Sequence, residues 1–301
     1  MKDLLLFLII YPFLKVVEFL PLSISNELCR FSLKLLLPFV KDRLKIAQKN
    51  LSIAFPQKSR EEIEKIAKES FLNLSEVLAF TIKMPRFNSL EKIEKYVKIE
   101  NFEEVERIKK EKRGLILVSA HFSLWEIMPL ICSLKGEKIY FFYRKLDNRF
   151  FNNYILRRRS VVDRMIPLEK RGNIKPVLKA LKNEDIVGIL MDQNVLRKDG
   201  VFVNFFGLKA STSPIAPFLA KKTGAAVIPV FIIPTGKKFK YRMKFFPEIK
   251  IERGNTLEEY LTKNTQKIMD VFEEVIREYP EYWMWIHKRW KTRPEGEEEI
   301  Y

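Results

Sequence analysis

The chain has 301 residues, of which 47% are hydrophobic, and this is enough to bury one sizeable core. A formal net charge of +17 favours an anionic partner, such as a nucleic acid, an acidic protein or a negatively charged membrane. With only two cysteines, the chain is not a disulfide-rich fold. The sequence has no paired Cys/His finger and no aromatic RNA-binding pair, which argues against nucleic acid as the partner. It has no cluster of Cys, His or carboxylate residues at ligand spacing, so we predict no metal site.

The first segment is an uncharged apolar run, Leu4–Leu14, followed by further hydrophobic residues. Pro12, Lys15 and Glu18 interrupt it, so it is marginal for a transmembrane helix, which needs about 20 mostly apolar residues. We interpret the run as an uncleaved membrane anchor that either spans the bilayer or lies in its interface. A helix of the protein core is the alternative.

A second apolar helix is expected over residues 26–40, and a basic flank over residues 41–49 favours anionic lipid headgroups. We therefore assign residues 1–45 to an N-terminal membrane anchor with basic amphipathic helices, and residues 46–301 to one larger domain. Within that domain, Ser59 and Glu62 form a capping box that begins a long amphipathic helix ending near Lys83. A short strand from Tyr96 to Ile99 follows, and Asn101 is expected to cap the next helix.

The run Leu115–Val118 predicts a buried strand, because it is short, apolar and rich in β-branched residues. It ends close to His121, and the periodicity that follows predicts a helix that begins at once and ends at Gly136. Five residues of helix turn through about 500°, so Glu126 can meet His121 only if the histidine lies off the helix. There the carboxylate can hold the imidazole as a general base, while a buried structural histidine is the alternative.

Two later strands also end in polar residues. The strand Lys138–Arg144 places Arg144 at an edge where α/β folds bind ligands, and Asp185–Met191 places Asp192 there, with Gln193 next. Asp192 is thus a second residue that can orient His121, and the spacing does not decide between it and Glu126.

The helix that begins near Asn148 carries Arg157, Arg158 and Arg159 in succession. Three successive residues spread around a helix, so we expect one of them, Arg158 or Arg159, to bind a phosphate bidentately; solvation of all three is the alternative. Further on, Phe205, Phe206 and Gly207 form an apolar loop that contacts either an acyl chain or the core.

The remaining elements alternate as in an α/β fold: a helix from Pro214 to Gly224, a strand over 225–234, an edge strand over 241–252, a helix over 256–279 and a Trp-rich C-terminus. This order predicts a mostly parallel central sheet flanked by helices.

One block of the sequence resembles the H-x-x-x-x-[DE] motif of the lysophospholipid and glycerolipid acyltransferases, and its Ala-His-Phe-x-x-Trp-Glu form resembles the late (secondary) acyltransferases of lipid A biosynthesis. Supporting stretches follow in the same order as in that family: Lys49–Pro56, Ala120–Glu126, Phe142–Arg144, Met191–Asn194, Gly200–Gly207 and Pro280–Lys291.

The resemblance implies an O-acyltransferase without a cofactor, behind an N-terminal membrane-binding segment, in which His121 is the base and Glu126, with or without Asp192, orients it. Arg144, Arg158, Arg159, Gln193, Phe205, Phe206 and Gly207 are the expected substrate-binding residues. It implies an acyl carrier protein thioester as donor, or acyl-CoA, and a lipid A precursor hydroxyl as acceptor. The expected location is the inner (cytoplasmic) membrane, with the catalytic domain on the cytoplasmic side.

Two alternatives remain open. One is an acyl-CoA-dependent transferase acting on another glycolipid or a lysophospholipid, for example a phosphatidylinositol mannoside. The other is a non-catalytic lipid-binding protein, against which the intact His121 and Glu126 pair argues.

Overall fold

The structure is a computed structural model that describes residues 2–169 and 174–301. Within these ranges the helices are α1 (Lys2–Phe19), α2 (Leu22–Leu36), α3 (Lys41–Ala54), α4 (Arg60–Leu72), α5 (Leu74–Lys83), α6 (Leu90–Glu94), α7 (Glu103–Lys110), α8 (Met128–Leu134), α9 (Arg149–Arg158), α10 (Lys175–Lys182), α11 (Ile215–Thr223) and α12 (Leu257–Glu278). The strands are β1 (Val97–Glu100), β2 (Leu115–Ser119), β3 (Ile139–Tyr143), β4 (Met165–Glu169), β5 (Ile186–Leu190), β6 (Val201–Phe205), β7 (Leu208–Thr212), β8 (Ala226–Pro234) and β9 (Tyr241–Phe245).

Seven of these strands form one sheet in the order β1-β9-β8-β2-β5-β3-β4, and β6 pairs only with β7. Every neighbouring pair in the large sheet is parallel except β8 with β9. The prediction of an α/β fold with a mostly parallel central sheet is therefore confirmed.

Helices cover both faces of the sheet, because each central strand is apolar on both sides. Along β2, Ile116 and Val118 join a core shared with α3, α10, α11 and α12, while Leu115 and Leu117 join a second core shared with α2, α5 and α8. Strand β2 is buried along its whole length, as its continuous apolar run predicts.

Five local predictions are wrong. Asn101 does not cap α7, because its side chain donates to the Phe245 carbonyl oxygen (3.1 Å) and the N-cap is Phe102. Strand β9 is not an edge strand, because it lies between β1 and β8. No α-helix begins directly after His121; a turn in which Ser123 has φ +47° leads into a short 3-10 helix, Trp125–Ile127, and α8 begins at Met128. The helix predicted from Ser59 is broken into α4 and α5 at Asn73, whose side chain is tied to Arg30 (3.3 Å) and to the Glu281 carbonyl oxygen (3.0 Å). The apolar loop near residue 205 is a β-hairpin, β6–β7.

The N-terminal helices leave apolar side chains in solvent while packing on the domain with their other faces. On α1, Leu5, Ile9 and Phe19 are 60–67% exposed, whereas Val17 is buried in the core beside α5. On α2, Phe31 is also exposed. Over the ranges described, no helix combines the length and apolarity needed to cross a bilayer.

Candidate active site

The pairing of two central strands brings His121 and Asp192 together. Strand β2 is parallel to β5, with Ser119 opposite Leu190, so the second residue after each strand is His121 on one side and Asp192 on the other. The ladder continues past the strand ends, because the Met191 amide donates to the Ser119 carbonyl oxygen (3.0 Å). Both side chains therefore lie at the carboxyl edge of the sheet, where α/β folds place reactive groups.

The Asp192 carboxylate is buried and accepts three hydrogen bonds. His121 Nδ1 lies 2.8 Å from Oδ1, while Oδ2 accepts from the His121 backbone amide (3.0 Å) and from Trp283 Nε1 (2.8 Å). Burial alone raises the pKa of Asp192, but the charge of His121 and these hydrogen bonds outweigh it and hold the pKa at about 2. The group is therefore a carboxylate at neutral pH.

This geometry fixes the His121 tautomer. Since Nδ1 faces a carboxylate, it carries the proton, and Nε2 of the neutral ring is left as a proton acceptor. Gln193 Nε2 lies 3.4 Å from that nitrogen, and the His121 side chain is 20% exposed, so a substrate proton can reach it. In this tautomer Nε2 can accept a proton from a hydroxyl placed beside it.

The C-terminal segment over residues 279–293 holds the turn that carries His121. The Ser123 amide donates to the Tyr282 carbonyl oxygen (2.9 Å), and the Met284 amide donates to the His121 carbonyl oxygen (3.1 Å). Phe122 also forms a β-bridge with Trp283. The same segment thus fixes the histidine backbone and, through the Trp283 indole, the carboxylate behind it.

Glu126 lies away from the His121 ring nitrogens and pairs with Arg159. The pair is bidentate, with Arg159 Nε at 2.9 Å and Nη2 at 2.6 Å from the two carboxylate oxygens. Because no α-helix runs on from His121, Glu126 projects toward the end of α9, and of the two carboxylates it is Asp192 that bonds to the His121 ring. The Glu126–Arg159 pair is less than one-fifth exposed, on the turn that begins at His121.

The other two arginines differ sharply in environment. Arg158 is 5% exposed, and its guanidinium donates hydrogen bonds inside the protein. The acceptors are the carbonyl oxygens of Ile82 and Tyr154 and the Glu18 carboxylate (2.8 Å). Arg144 is exposed beyond β3. The structure therefore brings Arg159, and not Arg158, into the turn of His121.

The predicted apolar loop supplies core packing. Phe205 and Phe206 are at most 5% exposed, with Phe205 against Trp283 (ring centroids 5.6 Å apart) and Phe206 against Trp285 (5.9 Å). Gly207 is exposed and has φ +77°, which a hairpin turn of two residues requires. These aromatic rings support the Trp283 indole from behind and do not face solvent.

Sequence reasoning missed two supports of the site. Trp283 was noted only as part of a Trp-rich terminus, and nothing in its spacing indicates a bond to Asp192. His287 accepts a hydrogen bond from the Asn194 amide (3.0 Å), two residues past Asp192, and Asn194 also exchanges hydrogen bonds with Thr292. Burial lowers the pKa of His287 to about 4, so it is neutral and serves as an acceptor.

The chain is similar in sequence to known proteins. The family model described as "Bacterial lipid A biosynthesis acyltransferase" matches residues 2–292. The chain is 30% identical to the lipid A biosynthesis palmitoleoyltransferase of Escherichia coli K12, with 88% of this chain and 84% of the relative covered. It is 29% identical to the lipid A biosynthesis lauroyltransferase of the same organism, with 87% and 84% covered. The crystal structure of a 1-acyl-sn-glycerophosphate acyltransferase from Thermotoga maritima gives 17% identity and a TM-score of 0.37, covering 84% of this chain and 97% of that one.

Proposed function

The chain belongs to the bacterial lipid A biosynthesis acyltransferase family, and we propose that it transfers a fatty acyl chain from an acyl carrier protein thioester to a hydroxyl of a lipid A precursor, with His121 as general base. The observation that carries the proposal is the contact of His121 Nδ1 with the buried Asp192 carboxylate (2.8 Å), which leaves Nε2 to receive a proton. A lipid-binding protein without catalysis has no use for such a pair.

The reaction needs only one base. The oxygen of the acceptor hydroxyl attacks the thioester carbonyl carbon while His121 Nε2 takes its proton, and the carbonyl electrons move onto the carbonyl oxygen. When the tetrahedral intermediate collapses, the C–S bond breaks and the leaving thiolate takes the proton from the imidazolium. A thioester is already activated, so this route uses no covalent acyl-enzyme.

Arg159 is the residue we assign to the developing negative charge or to a phosphate of the acceptor. Glu126 holds the guanidinium through Nε and Nη2, which leaves Nη1 to point at a substrate oxygen. Arg158 has a structural role in this account, because its nitrogens are bound within the protein. Glu126 acts as a positioning residue for Arg159, and Asp192 alone orients His121.

The exposed apolar side chains of α1 and α2 support membrane association. A soluble surface rarely leaves so many large apolar side chains of two neighbouring helices in water, among them Leu5, Ile9, Phe19 and Phe31. We propose that residues 1–45 lie in the interface of the inner membrane, with the His121 edge of the sheet on the cytoplasmic side. This placement lets the acceptor hydroxyl reach His121 without leaving the bilayer.

The charge of the chain bears on the donor. A net charge of +17 attracts an acidic carrier protein and an anionic glycolipid, and it attracts coenzyme A as well. We favour the carrier protein because of the resemblance to the late acyltransferases.

The test is acyl transfer in detergent micelles, comparing wild type with His121→Ala. A lipid A precursor is offered with acyl carrier protein and coenzyme A thioesters of several chain lengths. Loss of a general base typically costs about 10²–10⁴-fold, so we expect a fall in kcat of that size with the preferred donor. Transfer that survives the substitution would remove His121 as the base, and transfer from coenzyme A alone would replace the proposed donor.

A further inference from the structure

A groove that includes neither His121 nor Asp192 opens beside the carboxyl end of α1. It encloses about 600 Å³ between the α1–α2 connection and the segment 83–96. Phe19 and Phe87 supply apolar wall, and Tyr96 closes one side. Nothing in the proposed chemistry at His121 uses this groove.

The groove has a strong positive charge. Its described lining residues include Lys83, Arg86, Lys92 and Lys95, and no carboxylate. The Lys83 ammonium is committed to backbone carbonyl oxygens at the end of α1, including that of Glu18 (2.8 Å), so it contributes charge but few free N–H groups. Lys95 pairs at the rim with Glu91 (3.6 Å).

Arg86 and Lys92 are the donors that a ligand can use. Both are exposed, and among residues 2–169 and 174–301 neither forms an ion pair. The Arg86 guanidinium packs over the Phe19 ring at 4.9 Å, and Lys92 Nζ donates to Asn88 Oδ1 (2.9 Å). Burial lowers the pKa of Lys83, and the charge of Arg86 lowers it further, with a partial offset from Glu18. Lys83 and Arg86 therefore repel each other, and an anion bound nearby would weaken that repulsion.

The apolar wall of the groove continues into the exposed surface of α1. Phe19 is 62% exposed, and Val16, one turn earlier on the same helix, is 49% exposed. A ligand with both an anionic group and hydrocarbon chains can therefore contact cations and apolar side chains at once, which a free anion cannot do.

The groove also lies at the same edge of the sheet as His121. Tyr96 precedes Val97, which pairs with Tyr241; Tyr241 in turn lies opposite Pro234, at the carboxyl end of β8. Because β8 is parallel to β2, this end of β8 and His121 lie at one edge, with the groove three strands away in the order β1-β9-β8-β2. Both face the same side of the molecule.

We propose that this groove binds the headgroup of an anionic glycerophospholipid. Arg86 and Lys92 hold the phosphate, and the acyl chains lie along Phe19 and the exposed face of α1. One bound lipid at this position orients the carboxyl edge of the sheet, and His121 with it, toward the membrane.

The test uses the full chain in a neutral detergent and measures binding by calorimetry. The probe is dihexanoylphosphatidylglycerol below its micelle concentration, with dihexanoylphosphatidylcholine as the zwitterionic probe and inorganic phosphate as the free anion. We expect saturable binding of one equivalent of the phosphatidylglycerol and no comparable binding of the phosphatidylcholine. Removing two surface cations by Arg86→Ala with Lys92→Ala should weaken binding by about 10–30-fold.

Two further variants separate the groove from general charge. Lys110→Ala with Lys182→Ala removes the same charge from exposed side chains that precede β2 and β5, at the opposite edge of the sheet, and should change affinity by less than about twofold. Asn88→Trp fills the groove without removing a cation and should abolish binding. His121→Ala should bind as wild type does, so failure of the proposed catalysis and failure of this site are distinguishable.

Three results would overturn the proposal. Equal affinity for phosphatidylcholine and phosphatidylglycerol would show that Arg86 and Lys92 do not select an anionic headgroup. Inorganic phosphate that displaces the lipid at equal concentration would make this a free-anion site. Unchanged affinity in both the Arg86/Lys92 and the Asn88→Trp variants would place the lipid elsewhere.

Discussion

His287 makes the stability of the protein depend on pH in a way that can be isolated. Its pKa is lowered from 6.5 to about 4, mainly by burial, with further lowering by Arg289 and a partial offset from Asp192. Between pH 6.5 and pH 4, His287 is protonated in the unfolded chain but neutral in the folded chain. Stability from this residue is therefore complete above pH 6.5 and is lost as the pH falls toward 4.

The gap from 6.5 to about 4, at about 1.4 kcal/mol for each pH unit, amounts to about 3 kcal/mol of unfolding free energy. His287→Gln keeps a side-chain acceptor for the Asn194 amide and does not titrate in this range. Between pH 7 and pH 4, the unfolding free energy of the variant should therefore fall by about 3 kcal/mol less than that of wild type.

Urea unfolding at intervals of half a pH unit measures both proteins under the same conditions. Groups remote from His287 titrate alike in the two chains, so the difference between their curves reports mainly on His287. Parallel curves across this range would refute the assignment of a buried, neutral His287.

Three further substitutions test the supports of the site and the sheet. Trp283→Phe keeps an aromatic ring but removes the indole N–H that donates to the Asp192 carboxylate, so the pKa of Asp192 should rise. We expect kcat to fall about tenfold with an unchanged KM for the donor. A change in KM alone would argue against this role of Trp283. Arg159→Lys loses the two-pronged contact with Glu126 and should lower kcat/KM about tenfold or more, while Arg157→Lys on the exposed side of α9 serves as the matched control and should match wild type. Gly114→Ala would place a Cβ 2.2 Å from the Leu181 carbonyl oxygen, so we expect about 2–3 kcal/mol of destabilisation in chemical unfolding, and a wild-type midpoint would show that the backbone there can move.

The sequence could predict the strand before His121 and the strand before Asp192, because both runs are short, apolar and followed by polar residues. It could not predict that these strands are neighbours, since strand order depends on packing of helices far apart in the chain. The spacing therefore does not decide between Glu126 and Asp192, whereas the pairing of β2 with β5 brings Asp192 within 2.8 Å of His121 Nδ1.

The arginines show the same limit. Periodicity indicates that Arg158 and Arg159 face different ways, but which one turns inward depends on Glu18, about 140 residues earlier, whose carboxylate binds Arg158 when α1 packs near α9. The turn after His121 was missed for a local reason. Its apolar residues follow helical periodicity, yet Ser123 adopts a left-handed conformation that ends any helix there.

The central claim is that His121 and Asp192 act as one catalytic unit, and a double-mutant cycle measures this most directly. Acyl transfer is compared for wild type, His121→Ala, Asp192→Asn and the double variant, with folding checked by thermal unfolding. We expect each single substitution to lower kcat by about 10²–10⁴-fold and the double variant to be no worse than the poorer single one, because a unit can be broken only once. Losses that multiply in the double variant would show that the two residues act independently and would contradict the account.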